Sequence, residues 1–142
     1  MNFISTKLEG CFVIEPKIIQ DSRGYFMETF NENVFQNGIG KKIVFVQDNQ
    51  SISQRGVLRG LHFQKGEFAQ AKLVSLIKGK ILDVVVDIRK NSQTFRQSFY
   101  IELTGENNKQ VFVPKGFAHG FAVLEDNTIF FYKCDNYYHK AS

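Results

Sequence analysis

Tryptophan is absent from these 142 residues, proline and cysteine occur twice each, and histidine three times. Each shortage excludes something. Cys11 and Cys134 stand far apart with no CxxC spacing. That rules out a disulfide framework and fits a reduced, cytoplasmic protein. No apolar run approaches the length of a membrane span, and Met1 to Lys7 lack the apolar core of a secretory leader. No membrane partner is expected. The net charge of +4 is modest and gathers into no basic block. Nucleic acid is therefore not an expected partner, whereas an anionic metabolite is. Repeats, low-complexity segments and linker-like stretches are also missing, so residues 1–142 read as one domain.

What is present is an apolar, aromatic chain. Hydrophobic residues make up 43% and charged residues 23%, enough for a globular core. Fifteen Phe and five Tyr suit a β-rich interior. Short apolar runs between turn residues predict strands over 11–19, 24–30, 43–52, 57–64, 71–78, 81–88, 95–103, 109–113, 118–124 and 128–134. Lys78-Gly79-Lys80 reads as a hairpin turn between two such runs. One helix is predicted over 32–37, with Asn31 as N-cap and Gly38 as C-cap. Pro16 and Pro114 both fall where strands end. Many short strands and little helix give an all-β sandwich or barrel.

Chemistry concentrates in a few places. His62 lies in Gly56-Val57-Leu58-Arg59-Gly60-Leu61-His62-Phe63-Gln64. Strand interiors usually go to apolar residues, and imidazole suits proton transfer near neutral pH. Two readings stand side by side: a satisfied core histidine, or a general base facing a cavity. Gln64 shares the His62 face, while ideal alternation sends Arg59 to the other face unless Gly60 carries a bulge. Lys72 is a cation within an apolar strand, either an edge residue reaching for water or a fixed charge near a developing oxyanion. Asp83 and Asp87 share one face of a strongly apolar strand and need partners, for which Arg89 and Lys72 are candidates. Tyr132 is an ordinary strand aromatic or a proton donor across a pocket from His62. Arg23 sits in a turn, solvated or holding a phosphate. Pro114-Lys115-Gly116-Phe117-Ala118-His119 is similar to the second motif of the cupins, yet His62-Phe63-Gln64 lacks the paired histidine of a metal-binding first motif. The ligand set is too small for a metal site.

Several strings, in order along the chain, resemble the dTDP-4-dehydrorhamnose 3,5-epimerase family. They are Asp21-Ser22-Arg23-Gly24-Tyr25-Phe26, Val46-Gln47-Asp48-Asn49, Leu58-Arg59-Gly60-Leu61-His62-Phe63-Gln64, Asp83-Val84-Val85-Val86-Asp87-Ile88-Arg89, Pro114-Lys115-Gly116-Phe117-Ala118-His119-Gly120-Phe121 and Tyr132-Lys133. The resemblance implies a cupin-like jelly roll, a homodimer with exchanged N-terminal strands, a dTDP-sugar substrate and no cofactor or metal. It implies His62 as general base, Tyr132 as general acid and Lys72 as the group that stabilises the enolate. Arg59 and His119 match sugar- and phosphate-side contacts. Gln47, Asn49, Arg23 and Glu28 match nucleotide contacts and Phe26 a substrate contact, with the exchanged N-terminal strands implying that Arg23 and Glu28 serve the partner's site. Tyr138 matches the tyrosine that stacks on thymine. The family pattern continues past Tyr138 with an Asp that pairs with the base. Rival readings are a related epimerase acting on one carbon or another sugar, a non-catalytic sugar-nucleotide-binding domain, and a metal-dependent cupin oxygenase.

Overall fold

The computed structural model describes residues 1–140. The strands are β1 (Asn2–Ser5), β2 (Phe12–Glu15), β3 (Ile18–Asp21), β4 (Gly24–Met27), β5 (Gln47–Ser53), β6 (Leu58–His62), β7 (Lys72–Lys78), β8 (Lys80–Asp87), β9 (Ser98–Thr104), β10 (Gln110–Val113), β11 (Phe117–Val123) and β12 (Thr128–Cys134). Helix α1 (Glu32–Ile39) is followed by β5, and a single 3-10 turn spans Gly66–Phe68.

Two antiparallel sheets face each other as a cupin-like jelly roll. One has the order β1-β2-β10-β7-β12-β5 and the other β6-β11-β8-β9. Alternation explains the core. In β8 the inward positions are Ile81, Asp83, Val85 and Asp87, all buried. In β7 and β12 the inward set is Lys72, Val74 and Leu76 beside Cys134, Tyr132 and Phe130. Val74, Leu76, Ile81, Val85, Leu103, Val111, Phe121 and Phe130 meet between the sheets. A second cluster lies on the outer face of the larger sheet, where α1 drops Phe35 onto Phe112, ring centroids 5.2 Å apart. Hairpin β3–β4 forms a sheet of its own and exposes Ile19, Tyr25 and Phe26.

Four local expectations need correction. Residues 11–19 do not form one strand: Pro16 offers no backbone donor, and the chain breaks into β2 and β3 there. Gly79 does not close a hairpin. β7 and β8 belong to different sheets, so Gly79 turns the chain from one layer into the other. Gly38 is inside the helix rather than its cap. The left-handed cap is Gly40, at φ 72°, and Gly38 is small because the Phe3 ring lies against it. β1, which carries that ring, falls in a stretch with no predicted strand. Asn31 does cap α1, accepting from the Val34 N–H at 3.1 Å.

Candidate active site

A cavity of about 200 Å³ opens between the sheets, lined by residues of both. Its walls include Arg59, His62, His119 and Phe121 from the smaller sheet, and Asn49, Ser51, Lys72, Phe130 and Tyr132 from the larger. A second depression adjoins it and shares His62, Lys72 and Tyr132, adding Phe63, Gln64, Gln70 and Tyr138. The three residues expected to do chemistry thus stand where the two compartments meet.

The core reading of His62 is overturned. β6 is an edge strand, and all five of its residues are exposed. The question of Arg59 is resolved by register. On β11 His119 pairs with His62 while Phe121 pairs with Arg59, so β6 spends three steps where β11 spends two. That extra residue is a bulge, and it returns Arg59 to the His62 side. Gly60 makes this possible. Its φ is 107°, and a Cβ there would stand 2.7 Å from the Gly120 Cα. The Arg59 guanidinium then reaches across to Ser53 on the opposite sheet, with Nε and Nη2 both 3.1 Å from Oγ.

Lys72 and Tyr132 come from neighbouring central strands of the larger sheet. The Lys72 ammonium lies 5.3 Å from the centre of the Tyr132 ring. Burial pulls the Lys72 pKa below its ordinary value, although the nearby Cys134 and Asp83 oppose the fall. Burial also pushes the Tyr132 phenol up, and a hydrogen bond from Asn49, its cross-strand neighbour, partly offsets this. Tyr132 therefore holds its proton at neutral pH, as a donor must.

His119 is buried, and its Nε2 lies 2.6 Å from Oδ1 of the fully buried Asp83. The sequence placed Lys72 or Arg89 beside Asp83. The register of β11 on β8 pairs Phe121 with Asp83, which puts His119 on the diagonal and in reach. The other Asp83 oxygen has no hydrogen-bond partner among the described residues. Asp87 does take Arg89, bidentate at 3.1 Å, with Ser92 and Thr94 as further donors. Burial alone would raise the Asp87 carboxyl, but these donors outweigh it and hold the pKa well below the usual carboxylate range. Neither aspartate is hydrogen-bonded to His62, so neither takes the place of the carboxylate that the resemblance implied for the base.

Gln47 and Asn49 lie on β5, joined by a 3.2 Å hydrogen bond. Tyr138 is exposed at the rim. Arg23, Phe26 and Glu28 are not brought to this cavity. They lie on or just after the β3–β4 hairpin, where Arg23 bonds Asp21 at 2.6 Å. Residues that the sequence reading passed over include Ser51, Ser53, Phe121 and Phe130, whose only signal is their inward strand position. No group of three or more potential metal ligands occurs among the described residues.

Residues 5–142 match the dTDP-4-dehydrorhamnose 3,5-epimerase family. A protein of that name from Methanothermobacter thermautotrophicus is 55% identical over 137 residues, covering 96% of this chain and 73% of the relative. The crystal structure of the namesake from Elizabethkingia anophelis superposes with a TM-score of 0.96 at 53% identity, covering all of this chain and 78% of that one. A dTDP-6-deoxy-D-glucose-3,5-epimerase from Legionella pneumophila, solved with dTDP-4-keto-L-rhamnose, gives 0.95 at 50% identity, covering 99% and 74%. More distant is a 3'-monoepimerase from Streptomyces bikiniensis at 32% identity and TM-score 0.92, covering 97% and 69%. It was solved with dTDP as a double mutant in which a histidine became asparagine and a tyrosine seventy positions later became phenylalanine. With matches of this extent and identity, the chain belongs to the dTDP-4-dehydrorhamnose 3,5-epimerase family.

Proposed function

We propose that the chain converts dTDP-4-dehydro-6-deoxy-α-D-glucose to dTDP-4-dehydro-β-L-rhamnose, a step in dTDP-rhamnose synthesis. One observation carries the mechanism. Epimerisation removes a proton from one face of a carbon and returns one to the other face, so it needs two proton-handling groups on opposite walls. His62 stands on the smaller sheet; Tyr132 stands on the larger. Protons on carbons 3 and 5 are acidic because both flank the carbon-4 ketone. His62 removes each in turn. Lys72, on the Tyr132 wall, stabilises the enolate oxygen that forms. Tyr132 delivers a proton from the opposite face. The spacing of His62 and Tyr132 is the same seventy residues as the mutated pair of the Streptomyces bikiniensis monoepimerase. That supports the pair as the reacting groups and assigns the choice of one or two carbons to their surroundings. No cofactor enters the proposal, since the ketone itself acidifies both positions.

We assign Arg59 and His119, which line the cavity with Asn49, to the sugar and phosphate, and Gln47, Asn49 and Tyr138 to the nucleotide. For Arg23, Phe26 and Glu28 we propose service in a partner's site within a homodimer. The exposed, separate hairpin that carries or adjoins them supports this, because its apolar residues Ile19, Tyr25 and Phe26 find no cover on their own chain. Sedimentation showing a stable monomer at micromolar concentration would contradict the dimer. We also assign the chain to the cytoplasm; among the described residues no helix is long and apolar enough to cross a membrane. The activity is tested by proton NMR of dTDP-4-dehydro-6-deoxy-glucose in heavy water. Signals of both protons should disappear with turnover. Loss of the carbon-3 signal alone would make the protein a monoepimerase, and loss of neither would make it a binding domain.

A further inference from the structure

The residues that follow β12 leave the sheet and run along the rim of the site, and glutamines from three separate segments hold them there. Gln70, just before β7, donates to the Asn136 carbonyl at 2.9 Å. Gln47, on β5, accepts from the Tyr138 N–H at 3.3 Å. Gln64, two residues beyond His62, accepts from the His139 N–H at 2.8 Å. Asn136 adds a 2.7 Å bond to the Glu67 carbonyl, and the His139 ring stacks on Phe68 with centroids 3.7 Å apart. The Tyr138 side chain itself remains exposed beside the depression that His62, Gln64 and Gln70 also line.

The held object is backbone, and the presented object is one aromatic ring. A ring that must stack on a flat base gains little if its backbone wanders, since ordering then opposes binding. Only Gln64 makes its bond from the segment that also carries the base. Strand β6 is an edge strand with one neighbour, so it gains support from any tie beyond its end.

We propose that Gln64 is a positioning residue that couples the Tyr138 segment to the His62 strand, so that seating the nucleotide also seats the base. This rests on the reading of Tyr138 as the nucleotide-stacking residue, and the test separates the two. Calorimetry with dTDP is run on the wild type, Tyr138→Ala, Gln64→Ala, the double variant and Gln64→Glu. Gln64→Ala should weaken dTDP about fivefold, the equivalent of one neutral hydrogen bond. It should also slow deuterium exchange at saturating substrate, as a merely nucleotide-side contact would not. In the Tyr138→Ala background the Gln64→Ala change should have no further effect on dTDP affinity. Gln64→Glu, which keeps an acceptor for the His139 N–H, should restore binding. If Tyr138→Ala leaves dTDP affinity unchanged, the reading of Tyr138 fails and the proposal with it. If Tyr138→Ala weakens binding but Gln64→Ala is silent, or fully additive with it, Gln64 acts independently and the coupling alone is overturned. Should Gln64→Ala not fold, Gln64→Leu, which keeps the volume and loses the acceptor for the His139 N–H, takes its place and must show the same masking by Tyr138→Ala.

Discussion

Replacing Lys72 with methionine separates what this residue does for the reaction from what it costs the fold. Lys72 is half-buried on a central strand with its ammonium 5.3 Å from the Tyr132 ring centre. Burial lowers its pKa, which means that the charged form is disfavoured in the folded state. The folded protein therefore surrenders this proton at a lower pH than the unfolded chain does. Between those two values the unfolded chain binds more protons, so stability rises with pH across that window; below it the full penalty persists. Methionine removes the charge while keeping an unbranched stem against the ring. The lost cation–π attraction, about 0.5–2 kcal/mol, is largely replaced by a sulfur–aromatic contact of about 0.3–1.5 kcal/mol. What remains is relief of the desolvation penalty. At neutral pH Lys72→Met should be more stable by on the order of 1 kcal/mol, a rise of about 2–6 °C in the melting midpoint. The gap between the two midpoints should close as pH rises toward the ordinary lysine range. Catalysis should move the other way. Removal of a preorganised charge at a developing oxyanion costs about 10²–10³-fold in kcat. Calorimetric melting across pH, with deuterium exchange on the same samples, measures both. Exchange at the wild-type rate refutes the enolate role, and a melting deficit that is constant with pH refutes the burial argument.

Three further outcomes are expected. His62→Ala should reduce deuterium incorporation at carbons 3 and 5 by about 10²-fold or more; incorporation at the wild-type rate would remove His62 as the base. Asp87→Ala removes the acceptor shared by Arg89, Ser92 and Thr94 and should lower stability by about 1–3 kcal/mol in urea titration. Because the Asp87 pKa is depressed, its contribution is present above the ordinary carboxylate range and lost as pH falls through the folded value, so the acid limb of unfolding should flatten in the variant. Gly60→Ala puts a Cβ 2.7 Å from the Gly120 Cα at φ 107°, and should lower both stability and activity by more than Gly56→Ala, which carries the same kind of backbone strain at φ 93° but meets nothing within 4 Å. Equal effects at the two glycines would show that the β6 bulge is not what the site depends on.

The sequence carried the class of fold because alternation is visible wherever a strand has one buried face. β8 and β9 are plain in that way, as is β12. It failed at layer changes. Lys78-Gly79-Lys80 looks the same whether the next strand pairs with the last or crosses to the facing sheet, because turn chemistry describes a few residues and not the destination of the chain. Gly38 misled for a related reason: a helix glycine demanded by a distant ring, here Phe3, is indistinguishable from a cap. Site residues were legible where a polar group broke an apolar pattern, as with His62, Lys72 and Asp83. The partner of Asp83 was not, since the His119 contact depends on a diagonal across two strands distant in the chain.

The two walls of the cavity are unequally built, and the proposed mechanism accounts for it. Lys72 and Tyr132 stand on β7 and β12, each bonded to a neighbour on both sides in the larger sheet. A charge that must meet an enolate at a fixed point gains from such rigidity, because its field falls with distance and reorganisation costs rate. His62 stands on β6, an edge strand paired only with β11 and interrupted by a bulge. An edge strand opens more readily than a central one. A base that serves two carbons, 3 and 5, of one sugar must address two proton positions in succession. A rigid electrostatic wall facing a more yielding base wall meets both demands with a single cavity. The bulge at Gly60 also lets Arg59 and His62 share that wall, so in the proposed mechanism the strand that carries the base carries a cation for the substrate as well. The tie from Gln64 to the Tyr138 segment lies at the free end of this strand, where the sheet provides no second neighbour.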